Sequence, residues 1–385
     1  MKILIAPDSF KGTNSSMAVA SRIEKGILRV FPQADIVKIP IADGGEGTVE
    51  ALVAGAGGDT YTVDVTGPLG EDISAGYAIL KSGAAALEMA ASSGLPLIPN
   101  ERRNPLTATT YGVGQMILAA IDKGAKEIVI GLGGSATNDG GVGMAQALGV
   151  SFQDQNGREL DFGGAALAKL AKIDISGMNP LIKDVKIKIA SDVNNPLCGP
   201  KGASAIFGPQ KGATPEMVEQ LDSALGHYAD IVKEQLGIDM ATEPGAGAAG
   251  GLGFGLLVFC GASIGSGIET MLDAVRFEEK LDGCTLCITG EGKIDGQSAF
   301  GKVPVGVAGR AKKLGVPVLA IVGDIGDGYE SVYDFGIDSI MSTVNRAMPL
   351  EEAMAKGGEL LEDAAERAMR MIRIGIQIQE SGVQD

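Results

Sequence analysis

Short runs rich in isoleucine and valine recur along this chain, and each stops abruptly at a polar or glycine-rich loop. KILIA precedes PDSFKG, DIVKIPI precedes ADGGEGT, and EIVI precedes GLGGSATNDGG. VKIKIA precedes SDVNNPLCG, TLCIT precedes GEGKIDGQ, and VPVLAIV precedes GDIGDG. Helical patterns fall between many of them, over residues 15–30, 107–123, 215–236, 303–314 and 350–374. Strands alternating with helices define α/β units with largely parallel sheets. In such sheets ligands bind at the carboxyl ends of the strands. Those ends here carry Asp8, Asp43, Glu46, Asp192, Glu291 and Asp295. A structural protein has no reason to place carboxylates at so many strand ends, so the pattern reads as an active site.

The rhythm changes once. VTGPLGEDISAGYAILKSGAAALEMA alternates over short segments joined by Gly-Pro and acidic turns, which predicts an antiparallel hairpin. The parallel rhythm returns from Cys284 onward. The simplest organisation is a discontinuous first α/β domain, residues 1–64 plus 284–385, interrupted by a second α/β domain over 65–283. The active site is then expected in the cleft between the two, a common place for small-molecule sites.

Composition narrows the ligand. The chain has 32 basic against 48 acidic residues, a net charge of −16, with no basic stripe of the kind a nucleic-acid binder needs. Arg367, Arg370 and Arg373 alternate with acids and apolar positions, as on a solvated helix face. Glycine accounts for 58 of 385 residues, about twice the ordinary share of roughly 7%. Such glycine marks loops where backbone must turn sharply or approach a ligand. No run is apolar enough for a membrane span, and MKILIAPDSF reads as a strand rather than a signal peptide. A cytoplasmic protein is expected. Its four cysteines read as buried free thiols, including the CTLC pair, which strand geometry points to opposite faces. The single histidine, His227, reads as a surface residue on a helix.

Two familiar spellings mislead. GAGAAG at 245–250 matches the dinucleotide fingerprint but follows DMATEP rather than a strand. It reads as a glycine-rich loop or as close helix packing. GQSAFGKV at 296–303 resembles a P-loop, yet Val303 stands where a magnesium-binding hydroxyl is required. Gly301 and Lys302 at the head of a helix still form an anion-site candidate. GLGGSATNDGG at 131–141 is the stronger cradle, because it follows a strand directly and mixes glycine with hydroxyl donors.

Taken together, APDSFKG (6–12), IADGGEGT (41–48), GLGGSATNDGG (131–141), ASDVNNPLCGPKGAS (190–204), PGAGAAGGLG (244–253) and TGEGKIDGQSAFGK (289–302) resemble the type-1 glycerate kinase family. The resemblance spans nearly the whole chain in order. It implies two α/β domains, one of them Rossmann-like and discontinuous, with the active site in the interdomain cleft. It also implies transfer of the γ-phosphoryl group of ATP, with Mg²⁺, to a hydroxyl of D-glycerate, and a preference for the 2-position. Phosphorylation at the 3-position, or nucleotide binding without catalysis, are the alternatives. A dehydrogenase reading would rest on GAGAAG alone.

On that reading Lys11, with Ser9 and the Gly44 and Gly45 amides, holds the glycerate carboxylate, and Asp8 also binds the substrate. Gly133, Gly134, Ser135, Thr137 and Asn138, with Lys302, hold the ATP phosphates. Asp192 or Asp295 orients the attacking hydroxyl, with Lys11 assisting, and Glu291 or Asp43 binds the metal. The partner is a small molecule, neither nucleic acid nor membrane, and the oligomeric state is left open.

Overall fold

The computed structural model describes residues 1–42, 44–45, 47–299 and 301–381. Asp43 and Glu46 lie outside the described residues. The first strands are β1 (Lys2–Pro7), β2 (Asp35–Lys38), β3 (Gly58–Thr66), β4 (Asp72–Leu80), β5 (Ala85–Glu88) and β6 (Glu127–Gly131). A small ribbon follows, β7 (Ser151–Gln153) with β8 (Lys172–Asp174). Then come β9 (Lys186–Ala190), β10 (Ser263–Gly265), β11 (Leu286–Ile294), β12 (Val318–Ile325) and β13 (Ser339–Ser342).

The chain divides into two compact units. One comprises Met1–Asp43, Glu50–Ala56 and Met271–Asp385; the other comprises Gly44–Val49 and Gly57–Thr270. These limits differ from those read in the sequence for identifiable reasons. β3 pairs along its whole length with β4, which ties residues 58–64 to the second sheet. Arg310 forms ion pairs with Asp273 and Glu278, which tie the stretch before Cys284 to the first unit.

The first unit is a parallel sheet in the order β13-β12-β11-β1-β2. Helices cover it, so its central strands are apolar on both faces rather than alternating. Ile3 and Ile5 of β1, Ile288 of β11 and Ile321 of β12 pack against two helices. Ser16–Leu28 supplies Val19, Ile23 and Ile27, and Gly357–Glu380 supplies Leu361, Ala364, Ala365 and Met369. Ser15 caps the first of these by accepting from the Ala18 amide. The two helices meet backbone to backbone at Gly26, where a Cβ would lie 2.3 Å from the Glu362 carbonyl oxygen.

The single helix expected over 350–374 is instead two, Leu350–Ala355 and Gly357–Glu380. The break falls at Lys356-Gly357-Gly358, where consecutive glycines weaken helix continuity. Arg367 and Arg370 pair with Asp363 and Glu366 one turn back on the same helix, as expected of a solvated face.

The second unit is a mixed sheet in the order β10-β9-β6-β5-β4-β3. β5, β6, β9 and β10 run parallel, and β3 and β4 form the antiparallel hairpin read from the sequence. Its core is closed by edge-to-face rings, Phe152 with Tyr228 and Phe259, and Tyr228 with Phe254. GAGAAG leads into the helix Ala248–Cys260, whose opening residues Ala249, Gly250 and Gly251 are all left-handed. A Cβ at Gly250 would sit 1.9 Å from the Thr137 carbonyl oxygen. The glycines therefore serve close packing of backbone on backbone, and no strand precedes them.

His227 is half-buried rather than on the surface, with Nε2 2.7 Å from the Leu170 carbonyl oxygen. The long helix Pro215–Leu236 turns its imidazole inward to satisfy that carbonyl. All four cysteines are free, and burial pushes the Cys198 and Cys260 thiols up to about 12.

Gly26→Ala tests the helix packing. The new methyl meets backbone that cannot rotate away, so the variant should lose about 1–3 kcal/mol of stability. A urea midpoint equal to wild type would show that the two helices can separate freely.

Candidate active site

In the first unit β1 lies between β2 and β11. The chain leaves β1 toward β2 on one side, while β11 leads to β12 on the other. The strand order reverses between β1 and β11, and in open α/β sheets the crevice at the carboxyl ends there is where ligands bind. Asp8, Ser9 and Lys11 follow β1, and Glu291 to Lys302 occupy the end of β11 and the turn after it. The two stretches are adjacent. The Asp8 amide donates to the Gly290 carbonyl at 2.8 Å, and a Cβ at Gly292 would stand 3.9 Å from the Lys11 nitrogen. The Ser9 amide donates to the Asp8 carboxylate at 2.6 Å, which fixes the turn leaving the strand.

Glu291 is the buried acid of this edge. Ser298 donates its hydroxyl to Oε1 at 2.6 Å, and the Lys302 ammonium stands 3.6 Å from Oε2. Lys302 also lies 3.9 Å from Asp295, whose Oδ1 accepts the Gln297 amide. Burial pushes the Glu291 carboxyl above its ordinary range, and the Ser298 hydrogen bond and the Lys302 charge pull the other way. Lys302 is the N-cap residue of the helix Val303–Lys313, and its ammonium reaches back toward Glu291, Asp295 and Ser298. One ammonium thus stands between a buried and a half-buried carboxylate. Ser298 was not among the residues read from the sequence. The spelling GQSAFGK carried it only as P-loop filler, and its role comes from the turn that folds it back onto Glu291.

The second unit presents a different surface. Gly44 and Gly45 lie directly on the carboxyl ends of β6 and β9. The Gly44 carbonyl accepts from the Gly133 amide at 3.3 Å. A Cβ at Gly131 would stand 2.5 Å from that same carbonyl oxygen, and one at Gly133 would stand 2.6 Å from the Gly45 Cα. Only glycine permits backbones to meet this closely. Asp192, two residues past β9, is exposed, and its Oδ1 accepts from the Ser266 hydroxyl and the Gly267 amide at the start of the helix Gly267–Ala274.

The 131–141 loop is less open than its spelling promised. Thr137, Asn138 and Asp139 are buried, Ser135 nearly so, and only Gly133 and Gly134 reach solvent along 133–139. Most of its amides are committed. Ala136 donates to Ser93, Gly140 to Gly250, and Gly141 and Gly143 to the Asp139 carboxylate. Asp139 also accepts the amide and hydroxyl of Thr110, both at 2.8 Å. One carboxylate thus gathers the N-termini of the helices Tyr111–Asp122 and Val142–Ala147, where negative charge is favoured. The structure therefore brings Asp8, Ser9, Lys11, Glu291, Asp295 and Lys302 to one sheet edge. It brings Gly44, Gly45, Gly133 and Gly134 to another, with Asp192 two residues beyond the strand end on which Gly44 packs. Thr137 and Asn138 are held inside.

No described grouping of three or more His, Cys, Asp or Glu side chains could cage a metal ion. Glu291 fits the way Mg²⁺ is commonly held, by one or two carboxylates with substrate phosphates and water completing the shell.

These features coincide with a known family. The glycerate kinase family model matches residues 3–373. A glycerate kinase of Halalkalibacterium halodurans is 50% identical, over 94% of this chain and 96% of its own length. A glycerate 2-kinase of Escherichia coli is likewise 50% identical, over 98% of this chain and 99% of its own. A crystal structure assigned as a glycerate kinase 2 of Salmonella typhimurium superposes with a TM-score of 0.89 at 46% identity, covering 98% of this chain and 99% of that one. The chain belongs to the glycerate kinase family, and it is a phosphotransferase. No described helix is long and apolar enough to cross a membrane.

The burial of Glu291 has a measurable consequence. Its folded-state pKa is raised, so the protonated form contributes stability at low pH that is lost as pH rises through that value. Glu291→Gln keeps an acceptor for Ser298 without the charge. In metal-free protein its thermal midpoint should rise relative to wild type as pH increases from the ordinary carboxylate range toward neutrality. A constant difference across that range would mean the carboxylate is not held against its charge.

Proposed function

We propose that this enzyme transfers the γ-phosphoryl group of ATP, with Mg²⁺, to the 2-hydroxyl of D-glycerate. The observation that carries the reading is the Glu291–Ser298–Lys302–Asp295 cluster beside Asp8–Lys11, at the point where the strand order reverses. The name of the Escherichia coli relative, a glycerate 2-kinase, supports the 2-position.

Phosphoryl transfer asks little covalent chemistry of a protein; catalysis is positioning and electrostatic stabilisation. Glu291 would hold Mg²⁺ together with phosphate oxygens, and the metal when bound would neutralise charge on the transferring group. Lys302 would pair with phosphate oxygens, and in the resting protein it is instead poised against two carboxylates. Gly133 and Gly134 would offer the exposed edge of the 131–141 loop to the nucleotide phosphates, with Ser135 buried just behind it. Thr137 and Asn138 support that edge from behind. Lys11 and Ser9 would hold the glycerate carboxylate, which in so acidic a protein needs a local cation and N–H donors. Asp295 would accept the proton of the attacking hydroxyl. Asp192, also a candidate for that task, already caps a helix with one oxygen. The cytoplasm is the compartment where ATP and a small organic acid meet, and we place the enzyme there.

Three variants test the roles. Lys302→Ala should raise the KM for ATP more than the KM for glycerate, and the reverse would move Lys302 to the acceptor. Glu291→Gln should raise the Mg²⁺ concentration needed for half-maximal rate; an unchanged requirement would remove it from the metal. Asp295→Asn should lower kcat by about 10²-fold or more, the usual worth of a general base. Near-normal turnover there, with a large loss in Asp192→Asn, would transfer the task to Asp192.

A further inference from the structure

Lys211 is wholly buried, and the reaction described above makes no use of it. It closes the short turn Pro209–Lys211, and left-handed Gly212 follows. Its ammonium donates to the Thr137 carbonyl oxygen at 2.6 Å. Removing a lysine from water is costly unless its charge and protons are met, so a site that keeps one is built around it.

What surrounds the contact shows its purpose. The loop is tied at Gly133 to Gly44, at Ala136 to Ser93, and at Gly140 to Gly250. Between the last two ties runs the segment 137–139. The Thr137 hydroxyl and the Asn138 Oδ1 are buried without a partner among the described residues. Asn138 is held through its Nδ2 on the Ser204 hydroxyl at 2.9 Å. The Lys211 ammonium is therefore the side-chain donor that anchors the backbone of Thr137, three residues from the exposed Gly134.

The charged groups around it are few. Asp139 faces the ammonium from the loop itself, and its charge favours the protonated lysine. Tyr228, from the helix Pro215–Leu236, is buried beside Asp139, which with desolvation holds its phenol un-ionised. Arg103 contributes its backbone carbonyl against Gly212. Burial prevails over Asp139 and brings the lysine down to about 7.

We propose that Lys211 is a positioning residue that, by clamping the Thr137 carbonyl, fixes the turn presenting Gly133 and Gly134 to the phosphates of ATP. The proposal rests on the reading that this loop serves the nucleotide. Lys211 touches no substrate; it acts through the loop.

Two features separate positioning from mere core filling: which KM moves, and how it moves with pH. As the lysine loses its proton above neutrality, its hold on the carbonyl weakens and the loop loosens. Stability moves the opposite way. The folded-state pKa lies below the unfolded one, so between about pH 7 and about pH 10 the unfolded chain binds the extra proton and folding gains as pH rises.

The experiment compares wild type, Lys211→Met and Gly134→Val, each with saturating Mg²⁺, from about pH 6 to about pH 9. Lys211→Met should raise the KM for ATP by about tenfold or more while leaving that for glycerate unchanged, a typical effect of losing a supporting contact. The KM for ATP should climb with pH in wild type and stay flat in Lys211→Met, and the variant should lose the rise in thermal midpoint above neutrality. If Lys211→Met does not fold, Lys211→Gln takes its place; a flat wild-type profile overturns the proposal without either. If Gly134→Val raises the KM for ATP and the folded Lys211 variant does not, the proposal fails while the loop keeps its assignment. If neither changes the KM for ATP, the phosphate reading of the loop fails, and this proposal with it.

Discussion

The candidate site of the first unit depends on one pairing, that of β1 with β11. Ile3 to Pro7 run alongside Leu286 to Gly290 in parallel register, and the Thr289 hydroxyl reaches the Ala6 carbonyl from 283 residues away. Joining such distant segments costs less than the separation suggests, because loop-closure entropy grows only with the logarithm of loop length. Burial of Ile3, Ile5 and Ile288 offsets it. Parallel pairing then brings the carboxyl ends of both strands to the same edge. Asp8 to Lys11 and Glu291 to Lys302 become neighbours only because of that register. Without it neither stretch is more than a polar loop.

The two candidate surfaces are built from opposite materials. The first concentrates charge, with a buried carboxylate fixed by Ser298 and opposed by Lys302. That carboxylate is held above its natural pKa, a standing cost to stability which a cation on it would relieve. The second concentrates backbone. Gly44, Gly131 and Gly133 remove side chains where three segments converge, and the surrounding amides are satisfied internally through Asp139 and its neighbours. A loop so thoroughly tied offers a narrow, rigid edge, and rigidity is what positioning of a transferring phosphoryl group requires.

Much of this was legible in the sequence. The apolar runs located β1, β2, β11 and β12 of one sheet and β6 and β9 of the other, and with them the edge that carries Asp8, Glu291 and Asp295; the short strands β10 and β13 carry no such run. The antiparallel character of 65–90 was visible from alternation and turn residues, though the first strand of the hairpin begins earlier, at Gly58. What the residues could not reveal was which loop atoms face outward. Thr137 and Asn138 look like ideal phosphate donors in one dimension, yet the helix beginning at Ala248 closes over them. Ser298 and Lys211 escaped notice for the complementary reason. A serine in a turn and a lysine in GPQKGA carry no periodicity, and their importance arises from contacts made by folding, one to a carboxylate and one to a carbonyl. Asp139 stood in plain sight as the loop's last acid, but its task is gathering helix N-termini.

The central claim is that these groups deliver a phosphoryl group to one particular hydroxyl of glycerate. It is tested most directly by identifying the product. Purified enzyme with ATP, Mg²⁺ and D-glycerate is coupled in one vessel to enolase and in another to 3-phosphoglycerate dehydrogenase, with phosphoglycerate mutase absent from both. The account predicts signal through enolase alone, from 2-phosphoglycerate. Signal through the dehydrogenase alone, from 3-phosphoglycerate, would contradict it.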